Sequence, residues 1–119
     1  MPKKILLVDD DQGISNSLSI LLRGEGHYVD VTTDSTEGAV LIKKNRYDVS
    51  IFDYKMKGLN GVDLLKLIKV KNPQCAVFII SGMLNIDKLS NKKNADLVTS
   101  IITKPFDVEA LLQRIAAIV

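Results

Sequence analysis

The stretch Ile5-Leu6-Leu7-Val8-Asp9-Asp10-Asp11 decides the fold, because a run of four apolar residues ends abruptly in three carboxylates. The arrangement recurs where Val49–Phe52 ends on Asp53 and where Ile101–Thr103 ends on Lys104. Placing a charge at the tip of a buried strand costs desolvation energy. Three such tips indicate one shared site in which carboxylates hold a cation and a lysine faces them, which suits phosphoryl chemistry with Mg²⁺.

Strand and helix patterns alternate five times along the chain. The predicted strands are Lys4–Val8, Tyr28–Thr32, Val49–Asp53, Ala76–Ser81 and Ile101–Thr103. The first, third and fourth are apolar runs, which is typical of strands buried on both faces of a parallel sheet. Right-handed crossovers between such strands predict a doubly wound α/β fold with a five-stranded parallel sheet. The carboxyl ends of the strands then share one edge, where α/β folds form their sites.

Helices are predicted between these strands. A single apolar stripe runs from Ile14 to Leu22, and glycines at positions 24 and 26 follow it as stop signals. Asp34 and Glu37 form a variant of the capping box at the start of the second helix. Three further helices are predicted to begin after caps at Asn60, Asn85 and Asp107, the first of them ending near Asn72-Pro73.

The composition predicts one domain spanning residues 1–119. A hydrophobic content of 46% supplies a core without disulfides, and the single Cys75 is predicted to be a buried, inert thiol. The net charge of +2 is too small to indicate nucleic-acid binding. No apolar stretch approaches the ~20 residues of a membrane span and no signal peptide is recognisable, so we expect a cytoplasmic protein without membrane contact.

Asp9, Asp10 and Asp53 are predicted to form a divalent-cation site. Three carboxylates held close together repel one another, and a hard cation such as Mg²⁺ relieves that repulsion. The alternative is that Asp9-Asp10-Asp11 only caps the first helix, but one aspartate is enough for a cap and Asp53 would remain unexplained. Asp53 stands alone after a buried strand, so it is the best candidate nucleophile, and its attack on phosphorus would give an aspartyl phosphate.

Two further strand ends offer groups that could contact a phosphoryl group. Lys104 can neutralise one phosphoryl oxygen, and the Ser81 hydroxyl can donate a hydrogen bond to another. Ser81 alone is a weak signal, because Ser-Gly also marks turns, but it ends the fourth strand. Pro105 sets the local turn after Lys104, and an X–Pro bond can be cis.

At these residues the chain resembles the receiver domain of two-component response regulators. The segments ILLVDDDQ, YDVSIFDYKMKGLNGVDLL, VFIISG and IITKPFD are similar, in order and spacing, to that family's acidic pair, phosphoacceptor strand and loop, switch strand and lysine segment. The resemblance spans the whole chain. It implies a flavodoxin-like (βα)₅ fold with strand order 2-1-3-4-5.

The resemblance also implies a role for each site residue. Asp53 would accept a phosphoryl group from a phosphohistidine of a sensor histidine kinase or a histidine phosphotransfer protein. Mg²⁺ or Mn²⁺ would be bound by the side chains of Asp10 and Asp53, by Asp9 through water and by the backbone carbonyl of Lys55. Ser81 would be the switch hydroxyl and Lys104 the phosphate-binding lysine. The domain would catalyse only its own phosphorylation and dephosphorylation, so it is not expected to be an enzyme with an external substrate.

Three positions depart from the family pattern. Lys57 stands where the family usually has proline, and Ile101 occupies the position of the switch aromatic residue. In the family, the aromatic ring at this position moves inward behind the switch hydroxyl. Isoleucine has no such ring, so the usual coupling to Ser81 is not expected here. Residues 94–97 replace a usual Gly-Ala pair before the fifth strand, which indicates a remodelled or partner-specific surface.

The expected partners are a kinase or phosphotransfer protein and a downstream effector protein or output domain, with homodimerisation on phosphorylation as a further option. Two alternatives stay open: a pseudo-receiver that works without phosphorylation, and a receiver fragment of a longer DNA-binding regulator. A flavin-binding protein of the same topology is disfavoured, because Asp9-Asp10-Asp11 would repel the flavin phosphate.

Overall fold

The computed structural model describes residues 2–82 and 97–118. Within these ranges the elements in chain order are β1 (Lys4–Val8), α1 (Gln12–Gly24), β2 (Tyr28–Thr32), α2 (Ser35–Lys44), β3 (Val49–Asp53), α3 (Gly61–Lys71), β4 (Ala76–Ser81), β5 (Ser100–Thr103) and α4 (Val108–Ala116). The helix predicted after Asn85 and the departure at residues 94–96 lie outside the described residues.

All five strands pair in parallel in the order β2-β1-β3-β4-β5, which confirms the predicted doubly wound sheet and the strand order that the resemblance implied. Four predicted strands match the observed bounds, and β5 begins one residue earlier than expected, at Ser100. The described helices are too short to cross a bilayer.

Side chains of β1 alternate between two apolar clusters, one on each face of the sheet. Ile5 and Leu7 pack with the inner faces of α1 and α4, whereas Leu6 and Val8 pack with those of α2 and α3. This alternation is the two-residue period of a strand, and it is why both faces of β1 are apolar. Because both faces of β1 are buried, the charged residues of this segment lie at its two ends.

Within the described residues, the helix caps at Asp34, Asn60 and Asp107 are confirmed, but one detail was wrong. The reciprocal capping box occurs at Asn60 and Asp63, whose side chains accept from each other's amides at 2.9 and 3.0 Å. Asp34 instead accepts from the Thr36 amide at 2.9 Å. Its own amide donates to the Thr32 hydroxyl at 3.0 Å, so it is not available to Glu37. A threonine at the end of β2 thus replaces half of the predicted box.

Gly61 lets the start of α3 pack directly against the end of β3. Its amide donates to the Tyr54 carbonyl at 2.9 Å, and a Cβ at this position would lie 2.8 Å from the Asp53 carbonyl oxygen and 3.0 Å from the Tyr54 Cα. Both neighbours are backbone atoms, so neither can rotate away. The residue therefore fixes the distance between the helix and the strand that carries Asp53.

We expect Gly61→Ala to lower the free energy of unfolding by about 1–3 kcal/mol, because the added methyl forces the backbone apart. Urea denaturation measures the change. Gly24→Ala is the matched control, since a Cβ at Gly24, the last residue of α1, meets no atom of the described residues within 4 Å. An equal loss of stability in both variants would contradict a specific close approach at Gly61.

Candidate functional site

The ends of four strands meet at one edge of the sheet. Val8 pairs with Phe52, so the aspartates that follow them, Asp9 and Asp53, lie side by side on neighbouring strands. On the other side of β3, Ser81 pairs with Thr103, and the Lys104 amide donates to the Ser81 carbonyl at 2.8 Å. Topology alone therefore brings together the groups that sequence reasoning placed at this edge.

Three carboxylates form the centre of the candidate site. One oxygen from each of Asp9, Asp10 and Asp53 lies within 4.8 Å of the others. Asp9 and Asp53 are buried, whereas Asp10 is exposed and closes the cluster from the solvent side. Carboxylate oxygens converging on one point are the ligands that Mg²⁺ prefers, so the donor set fits a hard divalent cation.

Asp9 carries the strongest sign that this cluster is built for a cation. Its Oδ1 accepts from the Asp11 amide at 3.0 Å, but its Oδ2 is buried and has no hydrogen-bond partner among the described residues. Among the described residues, the cation that pairs with it is the Lys104 ammonium, 3.9 Å away. Burial, and then the neighbouring charge of Asp53, raise the pKa of Asp9 to about 7.

The cap of α1 is Asp11 and not Asp9, because the Asp11 side chain accepts from the Ile14 amide at 3.1 Å. One aspartate of the run therefore serves as the cap, and Asp9 and Asp10 are left for the carboxylate cluster.

Lys104 faces the carboxylates from the end of β5. Its Nζ lies 3.2 Å from Asp53 Oδ2 as well as near Asp9, so one ammonium balances part of the charge of two carboxylates. The bond between Lys104 and Pro105 is cis, one of the two isomers considered for this turn. The half-buried side chain remains accessible to a phosphoryl group entering from solvent.

Ser81 is at the expected edge but is engaged elsewhere. Its hydroxyl donates to the Gly82 carbonyl at 2.8 Å, so it would have to rotate before it could donate to a phosphoryl oxygen. Lys55 and Lys57 are exposed in the loop between β3 and α3. Ile101, at the position of the switch aromatic residue, is half-buried and packs against the apolar cluster on the side of α2 and α3.

Two serines contact this edge without having been singled out from sequence. The Ser15 hydroxyl donates to the Asp9 carbonyl at 2.7 Å, and the Ser35 hydroxyl bonds to the loop that carries Lys57. Serine in the first turn of a helix is common for capping reasons, so neither residue has a distinctive sequence signal. Ser15 lies one turn inside α1 and six residues after Asp9. That spacing is a weak sequence signal for the hydrogen bond between them.

We expect Asp9→Asn to raise the free energy of unfolding of the metal-free protein by about 1–3 kcal/mol at pH 8. Burial raises the pKa of Asp9 from its ordinary value to about 7 in the folded protein, so the folded state binds a proton that the unfolded chain has already lost. The wild type therefore loses stability as pH rises from the ordinary pKa of aspartate to about 7. The advantage of Asp9→Asn should therefore shrink at pH 4–5.

Urea denaturation in a chelating buffer at both pH values measures this difference. His27, whose pKa is lowered by burial, is present in both proteins and cancels. Asp11→Asn keeps the cap of α1 and is the control. A pH-independent gain, or the same gain in Asp11→Asn, would show that the buried charge of Asp9 is not its cause.

Comparison with known proteins gives a consistent result. A family model described as the response regulator receiver domain matches residues 5–116. The cell cycle transcriptional regulator CtrA of Caulobacter vibrioides is 30% identical over 116 residues, covering 98% of this chain and 50% of its own length. The DNA-binding response regulator MtrA of Mycobacterium tuberculosis is 30% identical over 118 residues, with 98% and 50% covered. The chain thus spans about half the length of the curated relatives that it matches.

A solved structure shows the same architecture. The crystal structure of a response regulator receiver domain protein from Clostridium thermocellum superposes with a TM-score of 0.85 at 32% identity, covering 95% of this chain and 90% of that one. The likeness therefore extends over nearly the whole of both chains.

Proposed function

This chain belongs to the response-regulator receiver family, and from that premise we propose that it is a Mg²⁺-dependent phosphoacceptor switch modified on Asp53. Receiver domains are signalling domains of two-component systems. The observation that supports the proposal is the position of Asp53, which lies in the carboxylate cluster with its Oδ2 3.2 Å from the Lys104 ammonium. A buried carboxylate beside one fixed cation and a second cation site is suited to accept a phosphoryl group.

The proposed donor is a phosphohistidine on a sensor histidine kinase or a histidine phosphotransfer protein. A carboxylate oxygen of Asp53 attacks the phosphorus and forms the new P–O bond. The P–N bond of the phosphohistidine breaks, and the electron pair of that bond goes to the imidazole nitrogen. The Lys104 ammonium pairs with the Asp53 carboxylate before the transfer and with a phosphoryl oxygen after it. The Ser81 hydroxyl leaves the Gly82 carbonyl and donates to another phosphoryl oxygen, which supplies a switch between two states.

We propose that the cation is held by the side chains of Asp10 and Asp53, by the Lys55 carbonyl and by Asp9 through water. The buried, unpartnered Oδ2 of Asp9 supports this assignment, because an orphaned buried carboxylate oxygen is costly unless a ligand satisfies it. When bound, Mg²⁺ or Mn²⁺ supplies positive charge that offsets the carboxylates and the incoming phosphoryl oxygens.

The proposed output is a change in affinity for a partner. Relatives such as CtrA and MtrA are named as a transcriptional and a DNA-binding regulator and are twice as long as the matched region. The receiver is therefore proposed to control either an output domain or a separate effector protein, with homodimerisation of the phosphorylated form as one route. Ile101, packed where the family usually has an aromatic residue, would transmit the change through apolar packing.

Intact-mass spectrometry of the wild-type protein tests the proposal. Incubation with a small-molecule phosphoryl donor is expected to add one phosphoryl group in the presence of Mg²⁺ and none in excess chelator. Peptide mapping should place the group on Asp53. A folded protein that gains no mass under any of these conditions would favour the pseudo-receiver alternative, and a group on another residue would refute the assignment of Asp53.

A further inference from the structure

Ser35 ties the loop between β3 and α3 to the neighbouring helix. It is the first residue of α2 and is 2% exposed. Its hydroxyl donates to the Lys57 carbonyl oxygen at 2.7 Å and accepts from the Leu59 amide at 3.0 Å. One buried hydroxyl therefore satisfies the peptide groups on both sides of Gly58.

Gly58 is shaped for this contact. Its φ of +80° lies in the left-handed region that favours glycine. A Cβ at this position would lie 3.0 Å from the Ser35 Oγ, closer than side-chain atoms normally approach. The loop thus turns around the serine hydroxyl, and the turn and the hydroxyl fit each other.

The rest of the loop is held at its two ends. At the start, the Tyr54 amide donates to the Ile80 carbonyl at 2.7 Å, and the Tyr54 carbonyl accepts from Gly61. At the end, Asn60 and its capping box fix the entry into α3. Across the described parts of the chain, the main-chain groups of residues 55–59 have hydrogen bonds to Ser35 alone. The hydroxyl of Ser35, at the start of α2, therefore holds the central part of the loop, which includes the Lys55 carbonyl, in one conformation.

We propose that Ser35 is a positioning residue for the divalent-cation site, an inference that rests on the function proposed for Asp53. Without the hydroxyl, the peptide groups flanking Gly58 form hydrogen bonds with water instead, and the loop samples more conformations. Cation binding must then order the Lys55 carbonyl, and that entropy cost lowers the affinity. The bond formation at Asp53 itself involves no atom of Ser35, so the maximal rate of phosphorylation changes little.

Ser35→Ala tests the inference beside Ser19→Ala. Ser19 is also a nearly buried helical serine, but its hydroxyl donates to the Asn16 carbonyl of its own helix at 3.0 Å. Calorimetric titration with Mn²⁺, without any phosphoryl donor, should show binding weakened by about 5- to 30-fold in Ser35→Ala and unchanged in Ser19→Ala. The Mg²⁺ concentration that gives the half-maximal phosphorylation rate should rise by the same factor.

Amide hydrogen exchange followed by NMR reports the contact itself. In the wild type, the Leu59 amide is expected to exchange slowly, and Ser35→Ala should speed this exchange by about tenfold or more. Fast exchange of Leu59 in the wild type, or Mn²⁺ affinity in Ser35→Ala equal to that of Ser19→Ala, would overturn the inference. If the wild type binds Mn²⁺ but takes up no phosphoryl group, the function proposed for Asp53 fails, and the effect of Ser35 on Mn²⁺ affinity still decides this inference.

Discussion

Asp53→Asn is expected to lower phosphoryl incorporation by more than about 1,000-fold, because the amide cannot act as the attacking carboxylate. The variant should remain folded, since asparagine has nearly the same shape and its substitution relieves part of the repulsion with Asp9. Intact mass after incubation with a small-molecule donor and Mg²⁺ measures the loss, and circular dichroism verifies the fold.

Asp48→Asn is a suitable control for this experiment, because Asp48 is an exposed aspartate that follows no strand and only precedes β3. It should incorporate the phosphoryl group as the wild type does. Incorporation by Asp53→Asn at the wild-type rate would mean that another residue is the acceptor, and peptide mapping would then identify it.

Lys104→Met is expected to slow phosphorylation by about 100- to 1,000-fold at saturating Mg²⁺. The ammonium lies 3.2 Å from Asp53 Oδ2, so it is placed to stabilise charge that moves onto the phosphoryl oxygens. Methionine keeps an unbranched apolar stem that ends where the ammonium would begin, and it removes the charge. Initial rates of mass gain at several Mg²⁺ concentrations separate a slower chemical step from weaker cation binding.

The charge of Lys104 is also expected to stabilise the metal-free fold, because its ammonium pairs with both Asp9 and Asp53. We therefore expect Lys104→Met to unfold at lower urea concentration in chelator and to be restored in large part by Mg²⁺. Lys66→Met, on the exposed face of α3, is the control for loss of a lysine charge. Wild-type phosphorylation rates in Lys104→Met would show that the lysine is structural only.

Most of the fold was predictable because its signals are local. The apolar runs of β1, β3 and β4 mark strands buried on both faces, and the caps at Asp34, Asn60 and Asp107 mark helix starts. A parallel sheet then brings its strand ends to one edge, so the convergence of Asp9, Asp53 and Lys104 follows from topology. Some bounds shifted: α1 begins at Gln12, before the apolar stripe at Ile14, because its first turn is solvated.

The details that sequence could not supply are contacts between distant segments. The Ser35 hydroxyl meets Lys57 and Leu59 more than twenty residues along the chain, and no local pattern reports that approach. The loss of the capping box at Asp34 likewise depends on the Thr32 hydroxyl reaching its amide. The orphaned Oδ2 of Asp9 is a property of packing, since a carboxylate beside a strand end can equally well be solvated.

The buried oxygen of Asp9 sets a limit on how this domain can be improved in the laboratory. A screen for heat resistance alone would favour neutral residues at position 9, because they remove a charge that the metal-free fold tolerates poorly. The same changes would take away part of the proposed cation site. Heat-resistant variants should therefore be selected for cation binding at the same time. An aspartate retained at position 9 would show that cation binding constrains this position more strongly than the stability of the metal-free protein does.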